Sequence, residues 1–203
     1  MKRFRIIVGL SATAAAVVAS TTVSAHAGNT SAQSAAPSKA VVTHKAWQQK
    51  KSSWCVPASV QLSLRTFGTH VTQDSLAKQM KTDSTGTSAQ YAVPVYNSYL
   101  NKKGYKLARS QSPSSAKLMD LVSYEVGVLH RAAMVGVNLK LASWAHTSTN
   151  INHAITVRGY DKNKGTFIIW DPSRNSYGGT HTVSAKNLAT ASKGNGLYYA
   201  VKN

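Results

Sequence analysis

The chain has 203 residues, 42% of them hydrophobic and 15% charged, a balance that suits a globular protein with a real core and excludes a disordered chain. Lys and Arg number 24 against 6 Asp and Glu, a formal charge of +18, which draws the protein to polyanions and leaves few carboxylates for paired-acid chemistry. A single cysteine, Cys55, excludes an internal disulfide and any metal site built on cysteine pairs.

The N-terminus places Lys2, Arg3 and Arg5 ahead of an uncharged stretch, and Ala25-His26-Ala27 then puts small residues at the two positions a signal peptidase reads. This order predicts a secretory signal peptide over residues 1–27 and an extracellular address. Its strongly apolar part stops near Ser20 and is too short for a span, and no later stretch is long and apolar enough to cross a bilayer. Removing it takes three basic and no acidic residues and leaves a charge of +15. Residues 28–40 are small and polar and read as a flexible leader. The folded domain is expected over 41–203.

The first half of that domain reads as helical. Val56, Val60, Leu64 and Phe67 recur at helical spacing from Cys55, with Pro57 in the first turn and Gly68 at the stop. A second helix follows, with Thr72 as its cap, Asp74 in its first turn and Val71 packing on Leu76. A third is expected from about Pro94 to Lys103 and a fourth over 114–126. Strands fill the second half: 132–139, the alternating 151–160, the hairpin turn 161–165, the return strand 166–171, and 196–202. Helices early and strands late predict an α+β domain with segregated layers.

The six mature histidines, His44, His70, His130, His146, His153 and His181, form no paired metal-ligand spacing, and there is no phosphate-binding glycine loop or Gly-x-Ser-x-Gly elbow. No metal or organic cofactor is implied. Cys55, by contrast, stands at a helix start, where unpaired N–H groups and the macrodipole stabilise a thiolate. His153 is the candidate base and Asp171, across a hairpin from it, the candidate acceptor. Gln49 precedes Cys55 by six residues, so its amide and the Cys55 N–H offer two donors to an oxyanion.

These pieces together, Gln49, "WCVPAS", "NHAITVRGYD" and "WDPS", resemble the papain-like cysteine peptidases, and within them the bacteriocin-processing, double-glycine-leader peptidase-like family. The resemblance spans most of residues 45–200. It implies a papain-like fold, with a helical N-terminal lobe packed on a C-terminal antiparallel sheet, and peptide-bond cleavage through an acyl-enzyme. It also implies that Gln49, Cys55, His153 and Asp171 fill the family's four roles. Val56 departs from it, since members often carry glycine directly after the cysteine. The Gly-Gly leader specificity of transporter-linked members is not carried over.

The residues leave alternatives beside this reading. Cys55 can be a buried structural thiol, Asp161 a rival acceptor, and Gln48 a rival for Gln49. Trp54 is expected to shield the pair or line the cleft, whereas Trp47, Trp144 and Trp170 and the Tyr91, Tyr96 and Tyr99 group read as packing. A cysteine amidase or acyl-transferase acting on cell-wall peptides, and a non-catalytic binding module, are the other functions in view. The expected partners are a protein or peptide substrate and anionic cell-wall polymers held by charge, with no specific nucleic acid. A monomer is expected.

Overall fold

The computed structural model describes residues 35–203. The predicted signal peptide, residues 1–27, lies outside the described residues, as does the leader through Ser34. The first strand, β1 (Lys39–Val41), begins ahead of the domain start expected at Val41 and pairs antiparallel with the far end of a central strand, Lys39 opposite Asp161. Tyr160 Oη donates to Pro37 O at 2.7 Å, so the chain is already tied to the fold there.

Three helices follow. α1 (Cys55–Arg65) has Pro57 in its first turn, where the missing N–H costs nothing. Its end is marked by Gly68 at φ 67°, the left-handed conformation glycine adopts freely. α2 (Gln73–Gln79) is capped by Thr72 Oγ1, which accepts from Ser75 N at 3.2 Å. α3 (Ala89–Asn101) starts five residues ahead of the expected Pro94, which lies inside it. Its buried stripe, Ala92, Tyr96 and Leu100, runs straight through the proline, so packing holds the helix across the lost backbone bond.

Strand β2 (Tyr105–Ser110) and helix α4 (Ser115–Val122) come next. The fourth helix was expected to run to 126; from Ser123 to Val128 it widens into a π-helical turn instead. Strands β3 (Ala133–Asn138), β4 (Asn152–Asp161) and β5 (Thr166–Asp171) lie close to their expected positions. The β4–β5 turn closes at Gly165, φ 61°. Strand β6 (Gly179–Ser184) and helix α5 (Ala185–Ala191), like β1 and β2, lack a sequence expectation, and β7 (Leu197–Lys202) ends the fold.

The strands form one antiparallel sheet in the order β2-β7-β3-β4-β5-β6, with β1 added beside the far half of β4. Two cores flank it. Val60, Leu64, Leu76, Met80 and Leu100 pack with Met134, Ala154 and Tyr198 on the side of α1–α3. Leu118, Val122 and Leu188 pack with Val135, Ile155, Val157, Phe167 and Ile169 on the side of α4 and α5. Val60 and Leu64 are fully buried, each worth about 1.5–3 kcal/mol relative to exposure. Two hydrogen bonds then fix α1 against β4: Ser59 Oγ donates to Ala154 O at 3.0 Å, and Thr156 Oγ1 donates to Ser59 O at 3.3 Å. This clamp sets the start of α1 beside the start of β4, where the candidate residues are.

Candidate active site

Cys55 is the first residue of α1, preceded by Trp54 as N-cap with no side-chain capping bond. No acceptor for the Cys55 N–H is found among the described residues. The thiol therefore stands at the positive end of the helix, next to an N–H that lacks a partner there. His153 enters from β4, opposite Val137 of β3, and is buried. Asp171, the last residue of β5, is fully buried.

The three side chains meet in series. His153 Nε2 and Asp171 Oδ1 are 2.7 Å apart, which leaves the other ring nitrogen, Nδ1, for Cys55. Burial pushes the Cys55 thiol up. The hydrogen bond and positive charge of His153 outweigh it, helped by the backbone at Ala154 and Val56, and the thiol lies below its ordinary value. Burial pulls the His153 imidazole down, but the hydrogen bond to Asp171 and the contribution of Cys55 raise it to about 10. Both shifts run towards the charged forms, thiolate and imidazolium.

The carboxylate of Asp171 is buried, and both of its oxygens are supplied with donors. Besides His153, Oδ1 accepts from Ser173 N at 2.9 Å, and Oδ2 accepts from the indole Nε1 of Trp144 at 2.9 Å. The rival acceptor, Asp161, is the far end of β4, eight residues from His153 and so about 26 Å away along the strand. It caps the hairpin turn by accepting from Lys164 N.

Gln49 is buried and Gln48 exposed, which separates the two candidates. Its backbone is held on three sides. Gln49 N donates to Pro172 O at 2.7 Å, while the buried Gln73 side chain accepts from Lys50 N at 2.9 Å and donates to Gln48 O at 3.0 Å. The Gln49 amide lines the same cleft as Cys55. Its Nε2, however, donates to Lys51 O at 3.0 Å and Ser52 O at 2.6 Å, and its Oε1 is buried without a partner. In this conformation the Cys55 N–H has no acceptor among the described residues, and the Gln49 amide turns towards it only by releasing one of those two carbonyls.

The cleft has a volume of about 1020 Å³. Met134, Ala154 and Tyr198 give it an apolar wall, and the polar 83–88 loop stands among its other linings. Val56 lines it next to the thiol and is half-buried. Tyr177 stands edge-on to the His153 ring, centroids 6.4 Å apart at 90°. The turn that delivers it depends on Gly178, where an added Cβ would lie 1.8 Å from Ser173 O. Trp54 is buried beneath Lys51 and does not line the cleft, so of its two expected places the cleft lining is not what the structure shows. Among the described residues no group of three acidic, cysteine or histidine side chains is placed to hold a metal.

Sequence reasoning missed Trp144, Gln73, Ser173 and Tyr177. Trp144 was read as packing. A clue lay in its chemistry, because a buried indole N–H needs an acceptor and the chain has few acids to offer.

Comparison with known proteins bears on the family and the fold. The family model described as Peptidase_C39 like family matches residues 39–198. No curated protein shows significant sequence similarity. Among solved structures, the peptidase domain of Streptococcus ComA, a bifunctional ABC transporter involved in quorum sensing, is 18% identical with a TM-score of 0.57 over 79% of this chain and 100% of its own. A double glycine motif protease from an AMS/PCAT transporter, solved with a leader peptide, gives 12% and 0.56 over 81% of this chain and 95% of its own. The bromelain protease of Ananas comosus, solved with the inhibitor E64, gives 15% and 0.55 over 82% of this chain and 100% of its own. At such identities the structures speak for the fold, which is papain-like, while the match over residues 39–198 speaks for descent: the chain belongs to the Peptidase_C39 like family of cysteine peptidases.

Proposed function

We propose that the protein is an exported cysteine endopeptidase that hydrolyses peptide bonds through a thioester acyl-enzyme. The observation that carries this reading is the buried series Cys55, His153, Asp171, in which the acceptor holds three donors and the thiol is lowered by the imidazole. The Cys55 thiolate attacks the scissile carbonyl carbon. The oxyanion that forms is met by the Cys55 N–H and, after its amide turns, by Gln49. His153, protonated at Nδ1, gives its proton to the leaving amine, which departs and leaves the thioester. Water then attacks the acyl carbon while His153 takes its proton, and the acid product leaves Cys55 as thiolate again. Asp171 holds the ring so that Nδ1 faces the sulfur throughout. Export rests on the 1–27 segment, and the charge of +15 after its removal favours association with anionic cell-wall polymers.

Cys55→Ala tests the assignment. The variant is expected to fold as the wild type does and to lose turnover of an unstructured protein substrate completely. The irreversible inhibitor E-64, seen on the bromelain fold, is expected to modify Cys55 in the wild type. Turnover that persists in the variant, or a wild-type thiol that E-64 leaves untouched, would rule the reading out.

A further inference from the structure

Asp171 needs more than a partner on one oxygen. The torsion that turns a carboxylate about its last bond is broad and roughly two-fold, so donors to Oδ1 alone leave it free to swing away from the imidazole. The second oxygen is held by the Trp144 indole N–H at 2.9 Å. Trp144 belongs to no helix or strand; it sits in the connection between a short 3₁₀ turn, Leu139–Leu141, and β4. That connection is fastened from the far side of the sheet. Asn187, in the first turn of α5, accepts from Ser143 N at 3.1 Å and from Ser143 Oγ at 2.8 Å through Oδ1, and donates Nδ2 to Leu141 O at 3.0 Å. One half-exposed amide thus engages the backbone at 141 and 143, directly before the tryptophan.

We infer that Trp144 and Asn187 are positioning residues for the reaction: Asn187 fixes the 141–143 backbone, which places the Trp144 N–H on Asp171 Oδ2 and keeps the carboxylate turned towards His153. This rests on the reading of Cys55, His153 and Asp171 given above. The titratable groups around Asp171 are His153 on β4, with Cys55 on α1 and Tyr177 after β5 facing the imidazole, and His181 on β6, whose ring lies 6.4 Å from the Trp144 ring. With the carboxylate loosened, the imidazolium loses its best partner, and the thiolate that depends on the imidazolium forms only at higher pH.

The test compares wild type, Trp144→Phe, Asn187→Ala and the double variant by two measurements. The first is the pH dependence of Cys55 alkylation by iodoacetamide, which needs no substrate. The second is kcat and KM on a peptide substrate. Trp144→Phe keeps an aromatic ring and removes the donor; its alkylation midpoint is expected to move up, and kcat to fall about tenfold with KM unchanged, the scale of one hydrogen bond to a charged group. Asn187→Ala is expected to shift both in the same direction by less. The double variant is expected to match Trp144→Phe alone, because Asn187 acts through the indole. Unchanged midpoints and kcat in Trp144→Phe overturn the inference, and so do losses that simply add in the double variant. If Trp144→Phe does not fold, Asn187→Ala decides alone: a wild-type profile in it overturns the inference. A wild-type Cys55 that alkylates with the midpoint of a free thiol overturns instead the reading of the site on which the inference rests.

Discussion

Two buried polar clusters stand at opposite ends of α1 and reach opposite charge states. At the first turn are Cys55, His153 and Asp171. At the last are Ser63, Thr66, Tyr96, Arg131 and Glu125: Ser63 Oγ bonds to Tyr96 Oη and donates to Ala132 O, and Arg131 Nη1 donates to Thr66 O. Burial opposes charge in both places. In the first, Asp171 collects three donors, and the thiol and imidazole shift towards their charged forms. In the second, burial pushes Glu125 up to about 8, only partly opposed by the Ala200 backbone and Arg131, and pushes the Tyr96 phenol well above its ordinary range. Glu125 Oε1 and Arg131 Nε have no partner there. Depth alone does not decide the charge state; the number and direction of donors do.

Asp171→Asn strikes the first cluster hardest. If the new carboxamide keeps its oxygen towards His153 and Ser173 N, its NH2 must face the Trp144 N–H, donor against donor; turned the other way, it fails His153. The imidazole should drop from about 10 towards its ordinary value and the thiol should rise. Peptidase activity at neutral pH is expected to fall about 10²–10⁴-fold, the usual range for acid–base catalysis. NMR titration of His153 together with kcat/KM checks both, and a variant that retains the raised imidazole would break the contrast between the clusters.

Gln49→Ala comes next, with an expected loss of about 10²–10³ in kcat, the scale of one oxyanion donor. The residue is a mixed case: it lies at the ordered end of α1, yet its Oε1 is unpartnered and both amide hydrogens are given to Lys51 and Ser52 carbonyls. A kcat within twofold of wild type would mean that the Cys55 N–H serves alone and that Gln49 only shapes the 48–52 turn. Single-turnover kinetics on an ester and an amide substrate would read this out.

How much of this was legible in the sequence follows the same division. The helix that begins at Cys55, the strand that carries His153 near its start and the strand that ends at Asp171 each carry a local pattern, and the structure brings the three residues together. Elements whose placement comes from elsewhere left little trace. The β2 segment, "YKLARS", carries two basic residues among six; β6, "GTHTVS", has one strongly apolar residue. Both become strands by pairing with β7 and β5. Pro94 suggested a helix start because local chemistry favours it there, and only the packing of Ala92, Tyr96 and Leu100 shows otherwise. Trp144 and Asn187 form no motif with Asp171; the first meets it from a loop, and the second bonds that loop from a helix in a separate part of the chain. Glu125 falls inside the fourth helix expected over 114–126, and the π-helical turn that contains it could not be read from residue spacing.

Glu125→Gln probes the second cluster and should leave the rate alone. A carboxyl whose folded pKa, about 8, lies above its unfolded value, about 4.5, keeps in the folded state a proton that the unfolded chain releases. Its contribution is fully present below about 4.5 and is lost as pH rises through about 8, so wild-type stability declines across that window. His153 also has a raised pKa, but its loss begins only above its ordinary value of 6.5 and runs to about 10. The two windows separate between pH 4.5 and 6.5, where only Glu125 contributes a downward slope. Gln, neutral at every pH and close to the protonated acid in shape, should match wild type near pH 4.5 and exceed it above pH 8 by on the order of a few kcal/mol. Denaturant unfolding of both proteins from pH 4.5 to 9 measures this. If the curves stay parallel, Glu125 is ionised at neutral pH and Arg131 pairs with it after all, and the two ends of α1 are alike rather than opposed.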